Sequence, residues 1–296
     1  LIVTTGGGSM KAHGYLDALL AELEQAGVAS VLYDKVQANP TLDSVREGTR
    51  LIKDEGCDFV IGLGGGSAID AAKAMAVMAR NPGDLWDYMG AGSGGRKRLA
   101  ERPLQTIAIT TTAGTGTETD PWMVITNEEL DEKIGFGSDW TYPSLSIVDP
   151  ELMLTVPPRL TAYQGFDAFF HVVEGYLNKK HNPVADQISL QAIELVARSL
   201  PTAVKDGQNL EARTDVALAN TLAGYSQSIS GTISAHPMEH ALSGRHPNLP
   251  HGAGLIMTSV AYFRAFLPYE EVYERYITMA KAMGKAADKP EDFVDA

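Results

Sequence analysis

Strand-like and helix-like stretches alternate over roughly the first hundred residues, then the strand signals fade and disappear. That change of texture limits the folds open to the chain more than any single motif. Residues 1–4, 58–63, 105–110 and 144–148 read as short buried strands, and 28–33 as another. Between them, 15–25 carries Leu16, Leu19, Leu20 and Leu23 at helical spacing. Residues 45–55 follow a turn and cap at Asn39-Pro40-Thr41, and 68–80 is an Ala- and Met-rich helix. Residues 123–126 and 133–137 predict a hairpin, and the Gly-rich, locally basic 90–101 an exposed loop. After Val156-Pro157-Pro158-Arg159 only helical patterns remain, over 161–177, 183–199, 210–230 and 255–283. The expected organisation is an α/β domain over 1–156, a Rossmann-like parallel sheet covered on both faces, then an all-helical domain over 157–296.

Glycine-rich turns fall where strands hand over to helices. A turn of this kind lets backbone N–H groups approach a phosphate at a helix N-terminus. Gly64-Gly65-Gly66-Ser67 is placed for that role, with Asp70 in the first turn of the following helix. Gly6-Gly7-Gly8-Ser9 and the loop Thr111-Thr112-Ala113-Gly114-Thr115-Gly116 repeat the arrangement. One such loop is explained equally well by a tight turn; two after strands plus the third, Thr- and Gly-rich loop predict a bound dinucleotide or nucleotide. The first loop carries no acid to bond a ribose 2′-OH or repel a 2′-phosphate, which favours NADP(H) over NAD(H).

The helical half holds a second concentration of chemistry. Four of the seven histidines, His236, His240, His246 and His251, lie between Ser234 and His251. His236 and His240 are four apart, as are Asp167 and His171 upstream, so each pair shares a helix face. Carboxylate and imidazole without thiolate suit a first-row divalent metal such as iron or zinc. A lone histidine is more often satisfied by local hydrogen bonds; two such pairs plus His251 favour the metal.

Together, Gly64-Gly65-Gly66-Ser67-Ala68-Ile69-Asp70, Thr111-Thr112-Ala113-Gly114-Thr115-Gly116, Gly165-Phe166-Asp167-Ala168-Phe169-Phe170-His171 and Pro250-His251-Gly252 resemble the iron-containing (group III) alcohol dehydrogenase family, in order and approximate spacing. The chain resembles the butanol-dehydrogenase-like branch in particular, whose first loop is also Gly-Gly-Gly-Ser where other members carry Asp. The resemblance implies NADP at that loop, and a metal, Fe(2+) with Zn(2+) as the alternative, held by Asp167, His171, His236 and His251. It leaves His240 as a second, non-ligand histidine, and puts Lys133 and Asp70 near the dinucleotide and Thr112 and Thr115 in a phosphate and nicotinamide loop. One turn from a ligand, His240 is a candidate to orient the substrate or relay its proton, and equally to pack against the cofactor or bond a ligand. About one extra residue around Arg245-His246-Pro247 leaves His236 and His240 to be told apart and keeps His246 as a further candidate. The implied reaction is hydride transfer between a small primary alcohol or aldehyde and the nicotinamide. Rival readings are a glycerol dehydrogenase, a dehydroquinate-synthase-like lyase, or a non-catalytic nucleotide- or metal-binding protein. The lyase needs basic residues that 167–251 largely lacks.

Composition removes other classes. The net charge is −13 with no long Lys/Arg block, which argues against nucleic-acid or anionic-membrane partners. Cys57 is the only cysteine, so no intrachain disulfide forms and a cytoplasmic setting is expected. No apolar run has membrane-spanning length. The chain begins without Met and ends in what reads as the opening of another helix, so it looks cut, and the family resemblance implies that a short N-terminal segment and a larger C-terminal helical part are absent from it. An unmatched edge strand near the N-terminus would permit a homodimer.

Overall fold

The computed structural model describes every residue of the chain except Pro247, so the expected extra residue around Arg245-His246-Pro247 is described only at Arg245 and His246. Contacts divide the chain into two compact units, the first formed by 1–111 and 117–152, the second by 112–116 and 153–296. The division thus falls at Leu152/Met153, a few residues before the expected one, and the short stretch 112–116 joins the helical unit.

In the first unit, β1 (Ile2–Thr5), β2 (Leu32–Val36), β3 (Phe59–Gly64), β4 (Gln105–Thr110) and β7 (Leu145–Val148) form a parallel sheet in the order β2-β1-β3-β4-β7. β5 (Met123–Asn127) and β6 (Glu132–Phe136) pair antiparallel as the expected hairpin. The helices of this unit are α1 (Ser9–Ala12), α2 (Tyr15–Gln25), α3 (Leu42–Asp54) and α4 (Gly66–Arg80). Alternation along β1 sends Val3 into one core with Val45, Val60 and Met75, and Ile2 into another with Leu16, Ile61 and Ile109. The second strand begins later than expected. Gly27 turns the chain, and pairing with β1 selects Leu32, Tyr33 and Val36 as partners of Ile2, Val3 and Thr5. β1 is paired on both sides, so the sheet's edges are β2 and β7 and the N-terminal strand is not one of them.

Gly62 sets how closely α4 lies on the sheet, because a Cβ there would sit 2.9 Å from the Ile69 Cα. Buried among this unit's polar groups is Lys73, on α4. Its Nζ donates to the carbonyls of Thr117 (2.6 Å), Asp120 (2.8 Å) and Trp122 (2.8 Å), with Asp120 Oδ1 at 3.3 Å. Asp70 closes the network, accepting from Thr117 Oγ1 at 2.7 Å and from the Val124 N–H at 2.8 Å. Burial, with the neighbouring Asp70 charge, pushes Asp120 up to about 7 despite Lys73.

In the second unit, α5 (Pro158–Leu177), α6 (Pro183–Lys205) and α7 (Leu210–Ser230) pack side by side. α8 (Ala235–Arg245), α9 (His251–Arg264), α10 (Tyr273–Ala282) and α11 (Glu291–Val294) complete it. Pro157 and Pro158 open α5 with the fixed φ that suits a first helical turn. α6 runs past its expected end and through Pro201, because Leu200 and Ala203 continue its buried face. The single helix expected over 255–283 is instead two, separated by a turn containing Pro268, which cannot donate to a continuing helix. Phe170, Phe263, Tyr276 and Phe293 fill the core between these pieces, with Phe263 and Phe293 centroids 5.2 Å apart. Among the described residues no helix is long and apolar enough to cross a membrane.

Replacing Lys73 by Met should leave Asp120 buried without its cation and remove one of the two that act on Asp70, lowering stability by about 3–5 kcal/mol. A carboxyl whose folded pKa is raised loses stability as pH climbs from its unfolded value towards its folded one. The penalty should therefore be smaller near pH 5 and grow through about pH 7, where Asp120 ionises. Urea midpoints of both proteins at the two pH values measure it.

Candidate metal centre and cofactor loops

One face of α5 carries Asp167, His171 and Glu174, spaced by four and three residues, and all three are buried. His236 enters from the first turn of α8, and His251 is the first residue of α9, so the Pro-His-Gly turn proves to be a helix start. The four candidate ligands converge. Asp167 Oδ1 lies 3.3 Å from His236 Nε2, 3.4 Å from His251 Nε2 and 3.7 Å from His171 Nδ1. The His171 and His236 rings are stacked with centroids 4.1 Å apart. Asp167, His171 and His236 each offer a ligand atom within 4.8 Å of the others, and Glu239, His240 and His251 form an adjoining group that meets the same limit.

Each imidazole has its Nδ1 against an oxygen. His236 Nδ1 donates to Glu174 Oε1 at 2.5 Å, His251 Nδ1 to Glu239, and His171 Nδ1 faces the Gly114 carbonyl at 3.3 Å. Glu174 also accepts the Ile233 and Ala235 N–H groups at 2.8 and 3.2 Å, so it holds the start of α8 as well as a ring. For His236 and His251 such an outer oxygen turns Nε2 towards Asp167 and fixes the tautomer that frees it for a metal, whereas His171 presents Nδ1 to both Gly114 and Asp167. Gly252 lets α9 begin hard against α5, since a Cβ there would fall 2.1 Å from the Tyr163 carbonyl oxygen.

The charge states follow from these neighbours. Burial opposes ionisation of Asp167, but the facing His171 and His251, with hydrogen bonds from His236 and His251, hold it well below the usual carboxylate range. Burial and the charge on His236 push His171 down to about 3, so it is a neutral imidazole. Burial would lower His236 too, but Glu174 and Asp167 raise it to about 10. Asp167 is thus an anion and His171 a neutral imidazole, while the proton that His236 shares with Asp167 and Glu174 must leave before its Nε2 can take a metal. The donor set fits a first-row divalent ion.

The glycine loops occupy a different part of the molecule, in the first unit. β1 connects towards β2 and β3 towards β4, so the strand order reverses between β1 and β3. Their carboxyl ends carry Gly6-Gly7-Gly8-Ser9 and Gly64-Gly65-Gly66-Ser67 on either side of that crevice, the place where open parallel sheets bind ligands. Gly8 (φ 72°) and Gly64 (φ 144°) adopt backbone conformations that other residues resist. Thr4 Oγ1, buried near Gly64, has no protein partner. Lys133 is half-buried on β6 and its charge acts on Asp70, whose two oxygens are engaged by Thr117 and Val124. Thr111 stays with the sheet, its N–H bonded to the Gly64 carbonyl at 2.9 Å. Thr112 and Thr115 belong to the helical unit, where Gly116 N–H donates to Asn220 at 2.8 Å and Gln227 to the Thr115 carbonyl at 3.3 Å.

Residues 1–150 match the family model described as iron-containing alcohol dehydrogenase, and 161–296 match the C-terminal model of the same family. The chain belongs to the iron-containing alcohol dehydrogenase family. It is 38% identical over 285 residues to the choline dehydrogenase of Bacillus subtilis (strain 168), covering 96% of this chain and 69% of that protein. The crystal structure of the archaeal halo-thermophilic Red Sea brine pool alcohol dehydrogenase ADH/D1 superposes with a TM-score of 0.95 at 39% identity, over 99% of this chain and 76% of that one. The NADH-dependent butanol dehydrogenase A of Thermotoga maritima gives a TM-score of 0.89 at 31% identity, over 99% and 73%.

In this family member spacing marked the pairs Asp167/His171 and His236/His240 and the family resemblance supplied the ligand set, but Glu174 and Glu239 were not singled out. Glu174 stands three residues after His171, on the face already marked by Asp167, which is the signal that would have found it. Glu239 adjoins His240 and carries no comparable mark. His240 is half-buried, its ring 5.3 Å from His251 and 6.3 Å from His236, while His246 caps α8 outside both groups among the described residues. Glu174→Gln, which keeps an acceptor but removes the charge, should weaken metal binding about 10–100-fold. Competition with a chromophoric chelator measures it, and circular dichroism checks that α8 remains folded.

Proposed function

We propose that this protein transfers hydride reversibly between a small primary alcohol or aldehyde and NADP(H), using ferrous iron held by Asp167, His171, His236 and His251. The observation that carries the reading is the meeting of three imidazoles at one carboxylate, with Nδ1 of each against an oxygen acceptor. A divalent cation held there supplies Lewis-acid stabilisation of the negative charge on the reacting oxygen. Glu174 and Glu239 hold the rings of His236 and His251 so that their Nε2 atoms stay turned towards Asp167. His240, a turn along α8 from His236, relays the alcohol proton towards solvent. Iron is favoured over zinc by the family alone, because these donors accept both.

The two triple-glycine loops cradle the pyrophosphate at the strand-order reversal, while Thr111 and Lys133 of the same unit hold the rest of the dinucleotide. Asp70 acts by positioning the segment from Thr117 to Val124, since both its oxygens are engaged there. The absence of an acid from Thr4 to Ser9 supports NADP(H), and the NADH-dependent Thermotoga relative makes NADH the cofactor to compare. The single cysteine supports a cytoplasmic setting, and a homodimer is compatible with the open sheet edges at β2 and β7.

Full-length protein purified without oxygen should contain stoichiometric iron and oxidise NADPH with butanal. Chelation should abolish that activity and added Fe(2+) restore it. Asp167→Ala should lose metal and turnover together, and full activity in that variant would overturn the site. Thr5→Asp should move the kcat/KM ratio about tenfold towards NADH by placing a negative charge against the 2′-phosphate; an unchanged ratio would remove the first loop from cofactor choice.

A further inference from the structure

Away from both regions, a cavity of about 380 Å³ opens in the first unit between α3 and the turn that follows α4. Its floor is apolar: Leu42, Val45, Met78 and Leu85 are all buried. Its rim is basic, with Arg46, Arg50 and Lys53 on one face of α3. The acid on the rim, Asp84, accepts from Arg46 Nε at 2.7 Å, and Asp43 takes the same guanidinium at 2.7 Å. Glu47, also on α3, pairs with Lys35 at 2.5 Å. Neither Arg50 nor Lys53 has an ion pair among the described residues. Arg50 Nε donates to the Arg46 carbonyl at 3.4 Å and its charge also acts on Glu47, so Lys53 and the rest of the Arg50 guanidinium line the cavity in a chain whose net charge is −13.

Thr49 makes this more than a basic helix surface. It lines the cavity, is 7% exposed, and its Oγ1 has no hydrogen-bond partner. A buried hydroxyl left without a partner costs about 1–3 kcal/mol, and an acceptor entering the cavity removes that cost. The volume falls in the range of small-molecule sites, which pair an apolar lining with a few polar groups that fix orientation.

We propose that this cavity binds a small organic anion, its carboxylate or phosphate held by Arg50, Lys53 and the Thr49 hydroxyl, its apolar body on Leu42, Val45, Met78 and Leu85. The site is separate from the metal ligands, and its occupant braces α3 against α4, the helix that starts at the second glycine loop.

The test is a titration of full-length protein, labelled with 13C at the methionine methyls, with hexanoate and with hexyl phosphate. Saturable movement of the Met78 methyl with either anion, assigned through Met78→Leu, is expected. Hexanol should bind at least tenfold more weakly, as should hexanoate to the Arg50→Gln/Lys53→Gln protein. Thr49→Val, which keeps the side-chain shape, should weaken binding several-fold. Asp167→Asn should leave the Met78 response unchanged, which separates this cavity from any binding of the same probes at the metal centre. No saturable response at millimolar concentrations, or equal affinity for hexanol and hexanoate, would overturn the proposal.

Discussion

Asp167 is the group on which the helical unit depends. A buried carboxylate is costly unless opposite charge and hydrogen bonds surround it. Here the protonated His236 supplies charge and, with His251, hydrogen bonds, while the neutral His171 ring stacks on His236. Each imidazole has an oxygen at its Nδ1: Glu174, Glu239 or the Gly114 carbonyl. Removing any member strands the others, which ties α5, α8, α9 and the stretch 112–116 into one arrangement. Gly252 allows that closeness where α9 meets α5, because any side chain there would meet backbone. The same interactions that hold the fold therefore hold the ligand atoms in place.

The sheet unit repeats the principle with different groups. Lys73 is buried on α4 and draws three carbonyls and the Asp120 carboxylate around itself, while Asp70 secures Thr117 and Val124. The hairpin of β5 and β6 is thereby fixed to the helix that begins at the second glycine loop. Parallel pairing puts both triple-glycine loops at one end of the sheet, flanking the reversal of strand order. The loops need glycine for conformation and close approach; their common location comes from topology.

Much of this was legible because hydrophobic periodicity is a local property. Residues 15–25, 105–110 and 210–230 coincide with α2, β4 and α7, where the apolar pattern has no competitor. Boundaries moved where partners chose them. β2 slid towards Lys35 because its register is set by β1, and α6 crossed Pro201 because Leu200 and Ala203 had a core to enter. The break near Pro268 is a local signal that the apolar run around it concealed. Lys73, Glu174 and Glu239 were not singled out, because a charged residue within a helical pattern reads as solvated surface until its burial is known.

The sequence by itself determined that this chain has a parallel-sheet half and a helical half, and it supplied the pairs Asp167/His171 and His236/His240 at helical spacing, with His251 in a turn. It also carried the motifs of the iron-containing alcohol dehydrogenase family. Only the tertiary structure decided that His236, rather than His240, lies against Asp167, that Asp70 is engaged by Thr117 and Val124, and that Thr112 and Thr115 belong with the helices. The physical reason is range. Helical spacing acts over one or two turns, whereas His236 and Asp167 are 69 residues apart, and only packing of separate helices brings one to the other.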